Sequence, residues 1–289
     1  MKFADPKSDI AFKKIFGNEN KKEILISFLN SILDLPEGKK IQHIDILNPY
    51  QAPRIEGLKE TTLDVKATDQ RNIHYIIEMQ IEKKTGFEKR VIYYTAKTYS
   101  SQIEVAEKYP MLNQVIFIGI CDFNIFEGDD FLTRHLILNT ATGRQELKDL
   151  EFNFIELPKF QKEKENLNNR IDQWIYFIKE APNLEIIPKS VTEHEVLAAY
   201  EVANTHKWSK QEMELYDYWS MRSQDERGAI ELAHMEGISK GIEKGISKGI
   251  EKGKYTKALD SARKMKAKGY PVSEITEMTG LSEKEISKL

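Results

Sequence analysis

Two acidic residues, Asp64 and Glu78, lie in short stretches where apolar and polar residues alternate. Leu63-Asp64-Val65-Lys66-Ala67 and His74-Tyr75-Ile76-Ile77-Glu78-Met79-Gln80-Ile81-Glu82 both carry the period of a half-buried strand. The polar run Thr68-Asp69-Gln70-Arg71-Asn72 between them has the composition of a hairpin turn. Tyr75, Ile77, Met79 and Ile81 share one face and Glu78, Gln80 and Glu82 the other, while Leu63, Val65 and Ala67 oppose Asp64 and Lys66. A hairpin therefore brings Asp64 and Glu78 to one surface, with Gln80 a strand step away. Carboxylates held that close either take up a proton or hold a divalent cation between them. Mg2+ takes one or two carboxylates and keeps waters for chemistry on phosphate esters. The same pattern also suits ordinary solvated residues on the wet face of an antiparallel pair.

The elements around the hairpin must position these groups. Ser8 or Asp9 can cap a helix whose apolar stripe is Ile10, Phe12, Ile15 and Phe16, and Gly17 can end it. Asn20 opens a second helix through Ile24, Leu25, Phe28, Leu29 and Ile32, stopped by Leu35-Pro36-Glu37-Gly38. Residues 41–48 read as a strand, and 48–57, with Pro53, as a loop. After the hairpin the spacing predicts a helix from Phe87 to Lys108 with the stripe Val91, Tyr94, Thr95, Thr98, Gln102 and Val105. It carries Lys89, Arg90 and Lys97, interleaved with Tyr93, Tyr94 and Tyr99. Gln114–Cys121 is nearly all apolar, the signature of a strand buried on both faces. Two more strands, 132–139 and 151–157, flank a turn at Gly143. A helix joining the third strand to a buried fourth implies a right-handed crossover, hence an α/β fold with a mixed sheet.

The sheet domain is expected to end near residue 160, after which the pattern is helical to the C-terminus. An extension over 161–235 contains stretches 166–181, 193–206 and 209–223, whose Trp174, Trp208 and Trp219 read as core. Residues 236–255 hold a repeat with Gly237, Gly241, Gly245, Gly249 and Gly253 every fourth position, the first four each followed by isoleucine. Glycine costs a helix about 1 kcal/mol per position, so this is either a flexible connector or a helix whose glycines admit a partner helix. Residues 256–289 read as a helical hairpin resembling a helix-turn-helix, with Thr279-Gly280-Leu281-Ser282 as its turn.

Composition sets the bounds. Net charge is −3, so any nucleic-acid contact must come from local basic surface. No apolar run approaches the roughly 20 residues of a membrane helix, and the first residues have no apolar signal core. The single cysteine, Cys121, excludes an internal disulfide, suggests a reducing compartment such as the cytoplasm, and reads as a buried thiol rather than a nucleophile.

The opening Asp5-Pro6-Lys7-Ser8-Asp9-Ile10-Ala11-Phe12-Lys13-Lys14-Ile15-Phe16-Gly17, Asp64 before the hairpin, and Glu78-Met79-Gln80 together resemble the PD-(D/E)XK nuclease family of transposases, also called the recombination-promoting nuclease family. The resemblance spans roughly residues 1–225. It implies a restriction-endonuclease-like mixed sheet flanked by helices, followed by an all-helical C-terminal region. It also implies a cytoplasmic, bacterial, Mg2+- or Mn2+-dependent DNA endonuclease of low sequence specificity, linked to recombination, mobile elements or phage defence. Asp64, Glu78 and Asp9 then fall at metal-binding positions. Gln80 falls where the superfamily usually has lysine; glutamine can orient a water but carries no charge. Lys66 or Lys97 are the candidates to replace that lysine. Lys89, Arg90, Lys97 and Tyr94 are expected to contact DNA. The missing lysine and the acidic net charge also suit a catalytically decayed DNA-binding or assembly protein on the same fold. The repeat further admits homo-oligomerisation, and the tail a regulatory role over the nuclease domain.

Overall fold

Ser8, and not Asp9, caps the first helix: its hydroxyl accepts from the Ala11 N–H at 3.4 Å. Helix α1 runs Asp9–Phe16 and buries Ala11, Phe12, Ile15 and Phe16. Helix α2, Lys22–Leu33, buries Ile24, Leu25, Phe28, Leu29 and Ile32, and ends where Asp34 takes the left-handed conformation before Pro36. The computed structural model describes residues 2–51, 61–104 and 108–289. The expected loop around Pro53 and the expected helical position Val105 fall outside the described residues. The chain divides into two compact units, Met1–Ser220 and Met221–Leu289.

In the first unit the strands are β1 Ile44–Leu47, β2 Tyr50–Gln51, β3 Thr61–Thr62, β4 Val65–Asp69, β5 His74–Gln80, β6 Val115–Cys121, β7 Leu132–Leu136 and β8 Leu150–Glu156. β2 and β3 form a pair of their own. The other six make one mixed sheet in the order β1-β4-β5-β6-β8-β7. β5, β6 and β8 are parallel, and the remaining pairings are antiparallel. The α/β mixed sheet and the helical crossover from β5 to β6 are thus as the sequence predicts. β1 is shorter than expected because Ile41 is held outside the ladder: its N–H and C=O both bond the Asn30 side-chain amide, at 2.9 Å each.

The crossover helix α3, Phe87–Ser100, is also shorter than its periodicity suggests. The Ser100 and Ser101 hydroxyls turn back onto the Lys97 and Thr98 carbonyls. The Gln102 amide then bonds both the Asn113 N–H and its carbonyl, drawing the chain toward β6. α3 covers one face of the sheet, packing Phe87 and Val91 against Ile76, Phe117 and Phe154. The other face is covered by α1, α2, α4 Arg170–Glu180 and α5 His194–Ala203, in one core with Trp174 and Phe177. β6 lies between these layers and is buried at every position. Gly119 has no room for more: a Cβ there would lie 3.0 Å from the Phe117 ring and 3.1 Å from the Phe154 ring. Gly119→Ala is therefore expected to cost about 1–3 kcal/mol, read from the midpoint of urea unfolding; an unchanged midpoint would show that the two rings yield freely.

The segment before α1 is tied to the end of α5. The Ala4 N–H donates to Ala203 C=O at 2.8 Å and the Thr205 N–H to Lys2 C=O at 3.0 Å. The Asp5 N–H donates to the Tyr216 hydroxyl at 2.9 Å. These bonds fix how α1 approaches the sheet. Trp174 and Trp208 are core residues as expected, but Trp219 is 42% exposed, because it lies on α6, Lys210–Ala267, where the apolar stripe gives way to open surface.

The glycine repeat lies within α6 and is helical. Around each of its five glycines the Cβ position is open, and Ile238, Ile242, Ile246 and Ile250 are at least half exposed. In the second unit, α7 Val272–Thr279 and α8 Glu283–Ser287 join through Gly280, at φ +71°. Ser282 and Glu285 form a capping box on α8. Ala262, Ile275, Leu281 and Ile286 make its small core. Among the described residues no helix is long and apolar enough to cross a membrane.

Candidate active site

The β4–β5 hairpin is built on a buried acid at its turn. The Asp69 carboxylate accepts from the Arg71 and Ile73 N–H groups, the Tyr75 hydroxyl and the Arg71 guanidinium. Asn72, at φ +60°, completes the reversal. With the turn locked, the register is set, and Val65 faces Ile77. One step further the ladder stops, and side chains take over from backbone. The Asp64 N–H donates to Glu78 Oε1 at 3.1 Å, and the Met79 N–H donates to Asp64 Oδ2 at 2.8 Å. Each acid thus holds the other's strand through one oxygen and keeps a second oxygen for another partner. Gly119 is the neighbour of Glu78 on β6, so that register position brings no side chain of its own.

Glu78 is buried and Asp64 partly exposed. Burial, followed by the Asp64 charge, pushes Glu78 up to about 8. Burial pushes Asp64 up to about 6, against the pull of the Met79 N–H. Arg90 and Lys13 act on both carboxylates in the opposite direction. Two desolvated acids that repel each other form a donor set suited to a small, hard cation. The residues present therefore fit Mg2+ or Mn2+ held by two carboxylates, with water or phosphate oxygens completing its shell. Among the described residues, no group of three His, Cys, Asp or Glu side chains converges on one metal position.

Asp9 lies close enough for its charge to raise Asp64 further, but its carboxylate is paired with Lys13 at 2.7 Å. Gln80, at the end of β5, accepts from Arg90 Nη2 at 2.5 Å through Oε1, and its amide nitrogen donates to Met79 C=O at 3.0 Å. Arg90 and Tyr94 sit one turn apart on α3, toward the carboxylates: the Tyr94 phenol is raised by burial and by the Glu78 and Asp64 charges. Lys89 is exposed, and Lys97 lies seven residues beyond Arg90, about 10 Å further along the helix. Lys66 is half-buried opposite Ile76; burial lowers its pKa, and its charge is felt at His74. The structure thus gathers Asp64, Glu78, Gln80, Arg90 and Tyr94, with Asp9 at the margin, and leaves Lys66, Lys89 and Lys97 outside that group. Cys121 is buried, and burial raises its thiol, so it stays protonated.

Sequence reasoning missed two neighbours. Lys13 stands four residues after Asp9, a helical ion-pair spacing legible in the sequence. Asp122 follows β6 directly: its N–H donates to Gln80 C=O at 2.9 Å, and its carboxylate pairs with Lys7 at 2.9 Å. No local sequence signal marks it.

Compared with known proteins, the chain matches the family model described as PD-(D/E)XK nuclease family transposase over residues 6–233. No curated protein and no solved structure matches it.

Proposed function

Because the chain belongs to the PD-(D/E)XK nuclease family of transposases, we propose that it is a Mg2+- or Mn2+-dependent DNA endonuclease hydrolysing phosphodiester bonds with low sequence specificity. The observation that carries this reading is the reciprocal Asp64–Glu78 pair: two carboxylates, each using one oxygen on the other's strand, with like charges facing. Asp64 and Glu78 would hold the cation, with Asp9 adding negative charge from α1. When bound, the cation lowers the pKa of a water and polarises the scissile phosphate. The hairpin turn keeps the two acids in register without help from the substrate. Lys89, Lys97 and Arg90 present positive charge along α3 to the DNA backbone, and Tyr94 packs beside them. Phosphate contacts carry no base information, which fits low specificity. The transposase description of the family supports a role in recombination or mobile-element biology, and the exposed isoleucines of the repeat admit self-association.

Plasmid nicking with and without Mg2+ tests the reading. The parent is expected to cut only with the ion, and Asp64→Ala and Glu78→Ala to cut at least about a thousandfold more slowly, since both remove cation ligands. Equal cutting by parent and variants would overturn it.

A further inference from the structure

Hydrolysis of a phosphodiester places negative charge on the non-bridging and leaving oxygens as the bond breaks. Two carboxylates and one divalent cation cancel formally, so the phosphate's own charge needs a further positive partner. Gln80, the polar side chain nearest the pair on β5, is neutral. Both ends of its amide are already engaged, the nitrogen with Met79 C=O and the oxygen with Arg90. It is therefore not placed to handle a water by itself.

We propose, on the footing of the nuclease reading above, that Arg90 supplies the positive charge on the scissile phosphate and that Gln80 is the positioning residue that aims it. Three features of the site support this. First, the Gln80 oxygen takes one Nη2 hydrogen at 2.5 Å and leaves most of the guanidinium's five donors for a phosphate. Second, the guanidinium carbon lies 5.4 Å from the Phe87 ring centroid and 5.9 Å from that of Tyr94, so the planar fork is held by rings one turn of α3 to either side. Third, two other cations nearby are ion-paired, Lys13 with Asp9 and Lys7 with Asp122. Strand β5 thus contributes the metal ligand and the clamp two residues apart on one face, and α3 contributes the charge.

The test measures single-turnover cleavage at saturating DNA, DNA affinity in Ca2+, and Mn2+ binding by calorimetry. The proteins are the full-length parent, Arg90→Gln, Arg90→Lys, Gln80→Ala and the double variant Gln80→Lys/Arg90→Gln, each checked for native circular dichroism. Arg90→Gln is expected to lower the saturated rate by about a hundredfold to a thousandfold, while DNA affinity changes by less than about tenfold and Mn2+ still binds. Arg90→Lys keeps the charge without the fork and should fall between. Gln80→Ala should slow cleavage by about tenfold and leave Mn2+ binding intact. The double variant, with its charge returned on β5, should recover much of the rate lost in Arg90→Gln. An Arg90→Gln protein that cuts at the parental saturated rate, with only its DNA affinity and salt dependence reduced, would make Arg90 a plain backbone contact and overturn the proposal. A double variant no faster than Arg90→Gln would also count against it. If the parent neither binds Mn2+ nor cuts, the nuclease reading itself fails, and this proposal with it.

Discussion

Glu78→Gln is expected to abolish cleavage and, in the metal-free protein at pH 8, to raise the melting temperature. Both effects come from one arrangement. Burial and the Asp64 charge push Glu78 up to about 8, and burial pushes Asp64 up to about 6. Unfolded carboxyls titrate near pH 4, at about 3.9 for Asp and about 4.3 for Glu, so the folded protein binds these protons more tightly. The stability they contribute is therefore fully present below about pH 4 and is lost as pH rises through the two folded values. At pH 8 the metal-free site holds charge that the fold opposes. An amide at position 78 keeps an acceptor for the Asp64 N–H and adds donors toward the Asp64 carboxylate, while the repulsion disappears. Relief of about 1–2 kcal/mol corresponds to about 2–8 °C in a chain of this size. Mn2+ does the same for the parent by another route. At a hundred times its dissociation constant it should stabilise by about 2.7 kcal/mol, and it should hardly affect the variant. Melts of parent and variant followed by circular dichroism at pH 5 and pH 8, in EDTA and in Mn2+, test these shifts. A variant that melts below the parent at pH 8 in EDTA, or gains as much from Mn2+, would show that the two carboxylates do not oppose each other.

The hairpin was legible because alternation fixes which side chains share a face, and a polar turn between two alternating runs fixes where the chain reverses. That alone brings Asp64 and Glu78 to one surface, where the structure joins them. The apolar run of β6 likewise announced its burial, since only a strand covered on both sides can carry no polar residue. The part played by Arg90 was not legible. A cation on an amphipathic helix has no address until the helix is rotated onto the sheet, and it is the packing of Phe87 and Val91 that turns Arg90 toward Gln80. Lys13 poses the same difficulty. Its spacing to Asp9 shows the ion pair, but its approach to Asp64 depends on the bonds that tie residues 2–5 to the region after α5 and to Tyr216. The stretch 158–165, where the sheet domain is expected to end, is polar and lysine-rich in sequence. Yet Phe160 is in the core, and the Lys159 side chain is only 7% exposed. The compensating acid, Glu156, is the last residue of a strand and looks in sequence like any polar strand end.

Lys159→Met is accordingly expected to be among the most destabilising single changes outside the site, at about 3–5 kcal/mol near pH 7. The Glu156 side chain has no solvent exposure. It accepts from the Lys159 ammonium at 2.7 Å and from the Ile125 and Phe126 N–H groups, and Lys159 also donates to Phe126 C=O at 3.0 Å. Burial alone would raise the Glu156 pKa; the lysine and the two N–H groups outweigh it and hold the carboxyl below its usual value. A depressed carboxyl contributes stability above its unfolded pKa, and that stability is lost as pH falls through the folded value. Methionine fills the lysine's volume but leaves a buried charge with two donors instead of three. The penalty should therefore be largest at neutral pH and shrink in acid, where Glu156 takes up a proton. The double variant Glu156→Gln/Lys159→Met, which removes the charge as well, should recover much of the loss. Cleavage should suffer too, since this pair anchors the loop that begins at Asp122, whose N–H meets Gln80. Urea unfolding of both variants at pH 7 and pH 4 decides the matter: a Lys159→Met protein as stable as the parent at pH 7, or equally weakened at both pH values, would mean that the loop is not held by a charged Glu156.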